Sequence, residues 1–254
     1  MPEMRKILFQ AFLFCVANMS LAQVVNIEAK RFKTDTIGWK GSADLGFSMG
    51  KQKETFFMLS ANAHVQYKSK KHLYLLLGNS DLVKSKTAKL INSGFIHFRH
   101  NFKLKKEWIR WESFTQAQFN KMNGLKVRYL LGTGPRFKIL NKEDYRMYIG
   151  TLYMYEFERS LDGLTKLNQV RFSSYLSYTF CPIDILELIG TFYYQPNITV
   201  NKDYRLSTEN SINVKLHKNL ILGLNFRMNY DSFPPSGAIA KLTYLWNNSI
   251  KVVF

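Results

Sequence analysis

Residues 242–254 alternate so regularly that they dictate their own fold. Leu242, Tyr244, Trp246, Ile250, Val252 and Phe254 share one face, interrupted by Asn248, and most of the other face is polar or small: Thr243, Asn247, Ser249, Lys251. A period of two makes a β-strand with one greasy side and one wet side. Strands of soluble domains average about five or six residues. A strand of this length, ending on an aromatic, matches the roughly nine to eleven residues that cross a bilayer at a tilt, plus interfacial ends.

The N-terminus points the same way. Arg5 and Lys6 precede an apolar stretch at 7–17, and Ser20-Leu21-Ala22 offers small residues where a signal peptidase inspects them. We therefore expect a cleaved signal at 1–22, a periplasmic extension at 23–36 and a folded domain at 37–254. Cys15 falls inside the apolar stretch, which leaves Cys181 alone in the mature chain and excludes an internal disulfide or a thiol pair.

Beyond residue 22 no apolar run approaches the length of a membrane helix, and mean hydropathy is −0.20. Aromatics still make up 15% of the chain. Moderate hydropathy with many aromatics suits a transmembrane barrel, where alternate residues face the lumen and dilute the apolar signal. The net charge is +18. In an exported chain whose charges are spread over strands and turns, lipid phosphate is the expected partner and nucleic acid is not.

About twelve strands can be read: 37–49, 55–68, 72–78, 89–100, 108–120, 126–139, 145–158, 168–180, 185–196, 204–216, 220–231 and 242–254. The third is the shortest and is apolar on both faces. Within these bounds the bulky apolar face carries no Asp, Glu, Lys or Arg. A basic residue facing lipid near the midplane costs about 2–4 kcal/mol, whereas a soluble sandwich needs charge on its outside. The expected fold is all-β, a transmembrane antiparallel up-and-down barrel, closed because open edges cannot stand in hydrocarbon. Joints at 69–71, 101–107, 140–144, 181–184 and 217–219 should be short periplasmic turns. Those at 79–88, 159–167, 197–203 and 232–240 should be longer external loops. Outward aromatics gather at strand ends, Trp39, Tyr67, Trp111, Phe137, Tyr145 and Phe180 at one rim, and Phe57, Phe119, Tyr155, Tyr194, Tyr204 and Trp246 at the other.

Gly38-Trp39-Lys40-Gly41-Ser42, residues 63–68 (AHVQYK), residues 131–137 (LGTGPRF) and Tyr194-Gln195-Pro196 resemble a bacterial domain-of-unknown-function family of exported barrels, the YdiY-like or salt-stress-induced outer-membrane proteins. The resemblance runs from about residue 30 to the end. It implies a barrel in the cell outer membrane of a Gram-negative type and carries over no catalytic residue. Resemblance to exported barrels also implies that Phe254 is an assembly signal read by the barrel-assembly machinery.

Chemistry is sparse. Lipid hydrolysis needs a Ser activated by a His on the lipid-facing side. His64 and His97 instead face inward, and His72, His100 and His217 lie at periplasmic ends. No two histidines lie at a usable spacing on one face, so no metal or cofactor is expected. Glu156 and Glu158 project inward two residues apart. The inward cations around them are Arg128, Arg136, Arg146 and Arg171, with Lys138 nearby, so a lumen charge cluster is expected in place of an acid–base pair. Lys84, Lys86 and Lys89, in and beside the third loop, could touch lipopolysaccharide phosphates. Inward cations outnumber inward acids two to one, which would favour anions in an open pore. Twelve strands give a backbone diameter of roughly 24 Å, narrow enough for Arg and Tyr to fill. The expected role is therefore a monomeric, non-enzymatic, structural or envelope-stress protein, with a narrow anion-preferring channel as the alternative and a lipid hydrolase behind it.

Overall fold

The computed structural model describes residues 37–51, 55–85, 91–121, 124–217, 220–234 and 240–252. The expected signal at 1–22, the extension at 23–36, Lys86, Lys89 and Phe254 lie outside them. Twelve strands follow one another: β1(Gly38–Lys51), β2(Thr55–Lys68), β3(His72–Ser85), β4(Ile91–Lys103), β5(Ile109–Asn120), β6(Leu125–Asn141), β7(Tyr145–Ser160), β8(Lys166–Ile183), β9(Leu186–Pro196), β10(Tyr204–His217), β11(Leu220–Asp231) and β12(Leu242–Val252). They form one antiparallel sheet in sequence order. Among the described residues β1 pairs with β2 alone and β12 with β11 alone.

Period-two patterning explains which face is which. Leu45 is 84% exposed, Tyr153 61% and Trp246 62%, while Arg136, Arg171, Glu156 and Glu158 on the opposite face are at most 1% exposed. The burial is inverted relative to a water-soluble sheet, with apolar side chains outside and charge inside. The sheet is also strongly curved. Glu156 on β7 meets Arg205 on β10 at 2.6 Å, although three strand spacings in a flat sheet are about 14 Å. Tyr175 on β8 reaches Glu112 on β5 at 2.8 Å in the same way. The charged face is the concave, inner one.

Two expectations need correction. Residues 79–88 are not a loop as far as Ser85, because β3 continues to that residue. Asn79-Ser80-Asp81 has the composition of a turn, but β2 and β4 pair with it on both edges, and Asn79 Nδ2 donates to Asn62 Oδ1 at 3.0 Å. The longer strand places Lys84 on the outer face, opposite Phe57 at the rim. Cys181 likewise belongs to β8 and not to the turn after it, and its N–H donates to Asp144 O at 2.8 Å. With these extensions the outer face acquires charge at strand ends, as in Arg159 paired with Lys166, whose ammonium lies 5.9 Å from the Phe157 ring. The expected contrast in joint length survives mainly between β9 and β10 and between β11 and β12.

The outer face is not uniformly apolar. Tyr178 OH donates to Asn210 Oδ1 at 3.0 Å, and Asn210 Nδ2 to Thr208 Oγ1 at 2.7 Å. Gly190 lies between Tyr178 and Asn210 in the cross-strand row. A Cβ there would stand 2.3 Å from Asn210 Oδ1, so glycine is what lets two polar groups satisfy each other across the strand between them.

Candidate functional site

The inner face of β4 to β11 carries a buried ionic network. Glu156 is its hub. Arg171 Nε donates to its Oε2 at 2.8 Å and Arg205 Nη1 to its Oε1 at 2.6 Å, while Arg128 Nε stands 3.0 Å from Oε1. Gln169 Nε2 adds a fourth contact at 3.0 Å. Three guanidiniums from β6, β8 and β10 thus converge on one carboxylate of β7. Glu158 takes Arg128, whose Nε donates at 2.7 Å, and lies 3.6 Å from Arg205 Nη2.

The arginines bind further acids in turn. Arg171 Nη2 donates to Asp203 Oδ1 and Oδ2 at 2.9 and 2.8 Å, and its Nη1 to Gln195 O at 3.1 Å. Arg205 Nε donates to Asp231 Oδ2 at 2.9 Å. A second centre forms around Glu112, which accepts from Arg136 Nη1 at 3.3 Å and from Tyr175 OH at 2.8 Å, with Arg99 Nη1 3.7 Å away. Arg136 lies over the Tyr148 ring at 4.3 Å. Tyr175 can lie across β7 because Gly150 faces it; a Cβ on Gly150 would stand 2.2 Å from the phenol ring.

Five buried arginines (Arg99, Arg128, Arg136, Arg171, Arg205) therefore meet five buried acids (Glu112, Glu156, Glu158, Asp203, Asp231) with no formal excess. A buried charge is tolerated when it is paired and hydrogen-bonded. Between the two centres lies a cavity of about 40 Å³, lined by Arg99, Glu112, Arg128, Leu130, Tyr175 and Arg205 among others. A water needs at least about 10–15 Å³ by this measure, so the space has room for about three waters. On the β1–β4 side a wider cavity of about 250 Å³ is lined by Ser42, Asp44, Asn62, His64, Leu77 and Phe95.

Of the residues expected in one cluster, Arg128, Glu156, Glu158 and Arg171 are brought together. Arg136 sits at the level of Gly150, six residues from Glu156 along β7, and belongs to the Glu112 centre. Arg146 stands ten residues from Glu156 on the same strand, about 33 Å away, far from the Glu156 centre. Sequence reasoning missed Asp203, Arg205, Asp231, Tyr175 and Glu112 as members. Arg205, Glu112 and Asp231 have the inward parity that could have flagged them; Asp203 lies in a turn, where parity says nothing.

His97 faces inward as expected, whereas His72 and His100 approach each other, which was not expected. His97 Nδ1 is 2.9 Å from Gln116 Oε1 and stacks on Phe114. His72 Nδ1 and His100 Nε2 lie 3.0 Å apart on the outer face, a proximity between strands that spacing along one strand could not show. Among the described residues no group of three or more His, Cys, Asp or Glu could hold a metal.

A family model described as a protein of unknown function, DUF481, matches residues 43–245. No curated protein matches the chain significantly.

Proposed function

The chain belongs to the DUF481 family, the YdiY-like barrel proteins its motifs resemble, and on that basis we propose that it is a monomeric outer-membrane β-barrel whose interior is plugged by ion pairs, with a structural or envelope-stress role and no catalytic turnover. The observation that carries this reading is the inverted burial, with Leu45 and Trp246 exposed while Glu156 and Arg136 are buried. Such a surface is stable against hydrocarbon and unstable in water. Closure would pair β1 with β12, antiparallel as their odd and even positions require, and would remove the two edges that lipid cannot satisfy.

Several features support the plug. Five buried arginines are matched by five buried acids, so these arginines are held in ion pairs across the sheet. The cavity between the two centres has the volume of about three waters. The wider cavity by β1–β4 favours a narrow channel as the second reading, but its lining carries Asp44 and His64 and no arginine, which gives anion preference little support.

Single-channel conductance of refolded protein in planar bilayers, run beside a lipase assay and outer-membrane fractionation with heat-modifiable gel mobility, tests the proposal. Heat-modifiable protein in the outer membrane that is silent in both assays is expected. Steady conductance would establish the channel, hydrolysis the enzyme, and soluble protein with unmodified mobility would overturn the barrel. Deleting Phe254 should lower the heat-modifiable fraction, and an unchanged fraction would remove its assembly role.

A further inference from the structure

The turns joining β2 to β3 and β4 to β5 lie side by side, held by a hydrogen bond from Lys103 N to Lys71 O at 2.9 Å. Lys70, Lys71, Lys103, Lys105 and Lys106 are all exposed there, and Glu107 is the one acid within residues 69–71 and 103–108. The other described turns at this end of the sheet are different. Residues 142–144 contain Glu143 and Asp144 beside Lys142, and the β8–β9 turn has Asp184. The cationic charge is concentrated in one sector.

Directly on the strand side of that sector runs a continuous row of outer-face rings. Trp39 and Tyr67 are 4.8 Å apart, Tyr67 and Tyr74 6.3 Å, Tyr74 and His100 4.6 Å, His100 and His72 5.2 Å, and His72 and Phe102 5.1 Å. Amphipathic rings settle at the boundary between hydrocarbon and headgroups. The lysines follow the last rings by one to four residues, which sets them at the depth of lipid phosphates. Lys106 Nζ, 5.7 Å from the Trp108 ring, is held at that level.

Taking the membrane-spanning reading as given, we propose that this double turn docks the headgroups of anionic phospholipids in the leaflet it faces. Five ammonium groups in two short turns repel one another unless an anion sits among them, and a phosphodiester is the anion present at that depth. The rings would pack the lipid's glycerol and upper acyl region while the lysines hold its phosphate. Phosphate contact is thereby assigned to this end of the sheet, opposite the end of β3 that carries Lys84.

The test uses full-length mature protein refolded into phosphatidylcholine vesicles containing brominated phosphatidylglycerol or, at equal mole fraction, brominated phosphatidylcholine. Quenching of tryptophan fluorescence should be greater with the anionic lipid, because Trp108 and Trp111 border the sector. The surplus should shrink with added salt and fall at least about fivefold in the variant K70Q/K71Q/K103Q/K105Q/K106Q. The corresponding five Lys→Arg changes keep the charge and should keep the surplus, which separates docking from misfolding. Equal quenching by the two lipids, or a surplus retained in the glutamine variant, would overturn the proposal. So would full competition by millimolar inorganic phosphate, which would indicate a free-anion site. No quenching by either lipid would remove the membrane reading along with it.

Discussion

β1 and β7 are both long strands of the same sheet, yet their inner faces differ completely. On β1, Lys40, Ser42, Asp44 and Ser48 face inward and remain exposed, while on β7 Leu152, Met154, Glu156 and Glu158 are buried. β1 is registered along its length with β2, and β7 with both β6 and β8, with two irregularities on the β6 side. Backbone pairing and alternation therefore suffice to make a strand, but they do not pack its inner side. Packing arrives where side chains cross the concavity, and these crossings are concentrated between β4 and β11. β3 is intermediate: Leu73, Leu75 and Leu77 are buried on the inner face, with Phe95 against them.

The sharpest way to break this comparison is to remove the hub. Glu156→Gln with Glu158→Gln leaves Arg128, Arg171 and Arg205 without their shared carboxylates, and losing one partner of a buried pair costs about 3–5 kcal/mol. A urea titration in liposomes should show a loss of at least that size, whereas Asp44→Asn on β1 should stay within about 0.5 kcal/mol. Similar losses would mean that the two inner faces are energetically alike.

Facing can be tested within one strand. Leu224→Arg on the outer face of β11 should cost about 2–4 kcal/mol in lipid, and Asn225→Arg, its inner neighbour, much less. Equal costs in the same titration would reverse the assignment of faces there.

Glycines sharpen the comparison further. Gly150→Ala drives a methyl into the Tyr175 ring and should cost about 1–3 kcal/mol. Gly78→Ala on β3 meets nothing within 4 Å and should be neutral or mildly stabilising. A melting comparison in detergent in which Gly78→Ala, on the outer face of β3, is as harmful as Gly150→Ala, on the inner face of β7, would show that the Tyr175 contact is not what makes Gly150 necessary.

The smallest effect belongs to the β7–β8 turn. Asp162 accepts from the Ser160 hydroxyl and from Leu164 N–H at 3.0 Å, and these bonds hold its carboxyl below the usual range, against the small opposing effect of desolvation. The folded pKa is depressed, so the turn is favoured above the ordinary carboxylate value of about 4 and loses that advantage as pH falls through the lowered one. Exchange of the Leu164 amide should quicken relative to its intrinsic rate on acidification, and Asp162→Asn should abolish that dependence.

Strand positions and faces were legible because alternation is local: β11 runs as expected from Leu220 to Asp231, and the bounds of β2 match as well. The ends of β3 and β8 were not, since Asn79-Ser80-Asp81 and Cys181-Pro182 are turn-forming compositions that neighbouring strands override. Pairs on adjacent strands, such as Arg128 with Glu158, follow from parity and register. Arg205 with Glu156 does not, because curvature over three strands is set by the whole sheet. Arg136 had the right face and the wrong level, an error that parity alone cannot expose.

The Arg205–Glu156 contact joins residues 49 apart, and this separation imposes an order on assembly. Until β10 is laid down, Glu156 and Glu158 have Arg128 and Arg171 for company, and Arg205 has not arrived. A half-built sheet thus keeps an ionic face that water still solvates. Drying of the interior becomes the closing event, as contacts of long sequence separation form late. Pulse-labelled hydrogen exchange during refolding should protect the β6–β7 ladder before it protects β10, so that the sheet zips from its middle and locks near its end.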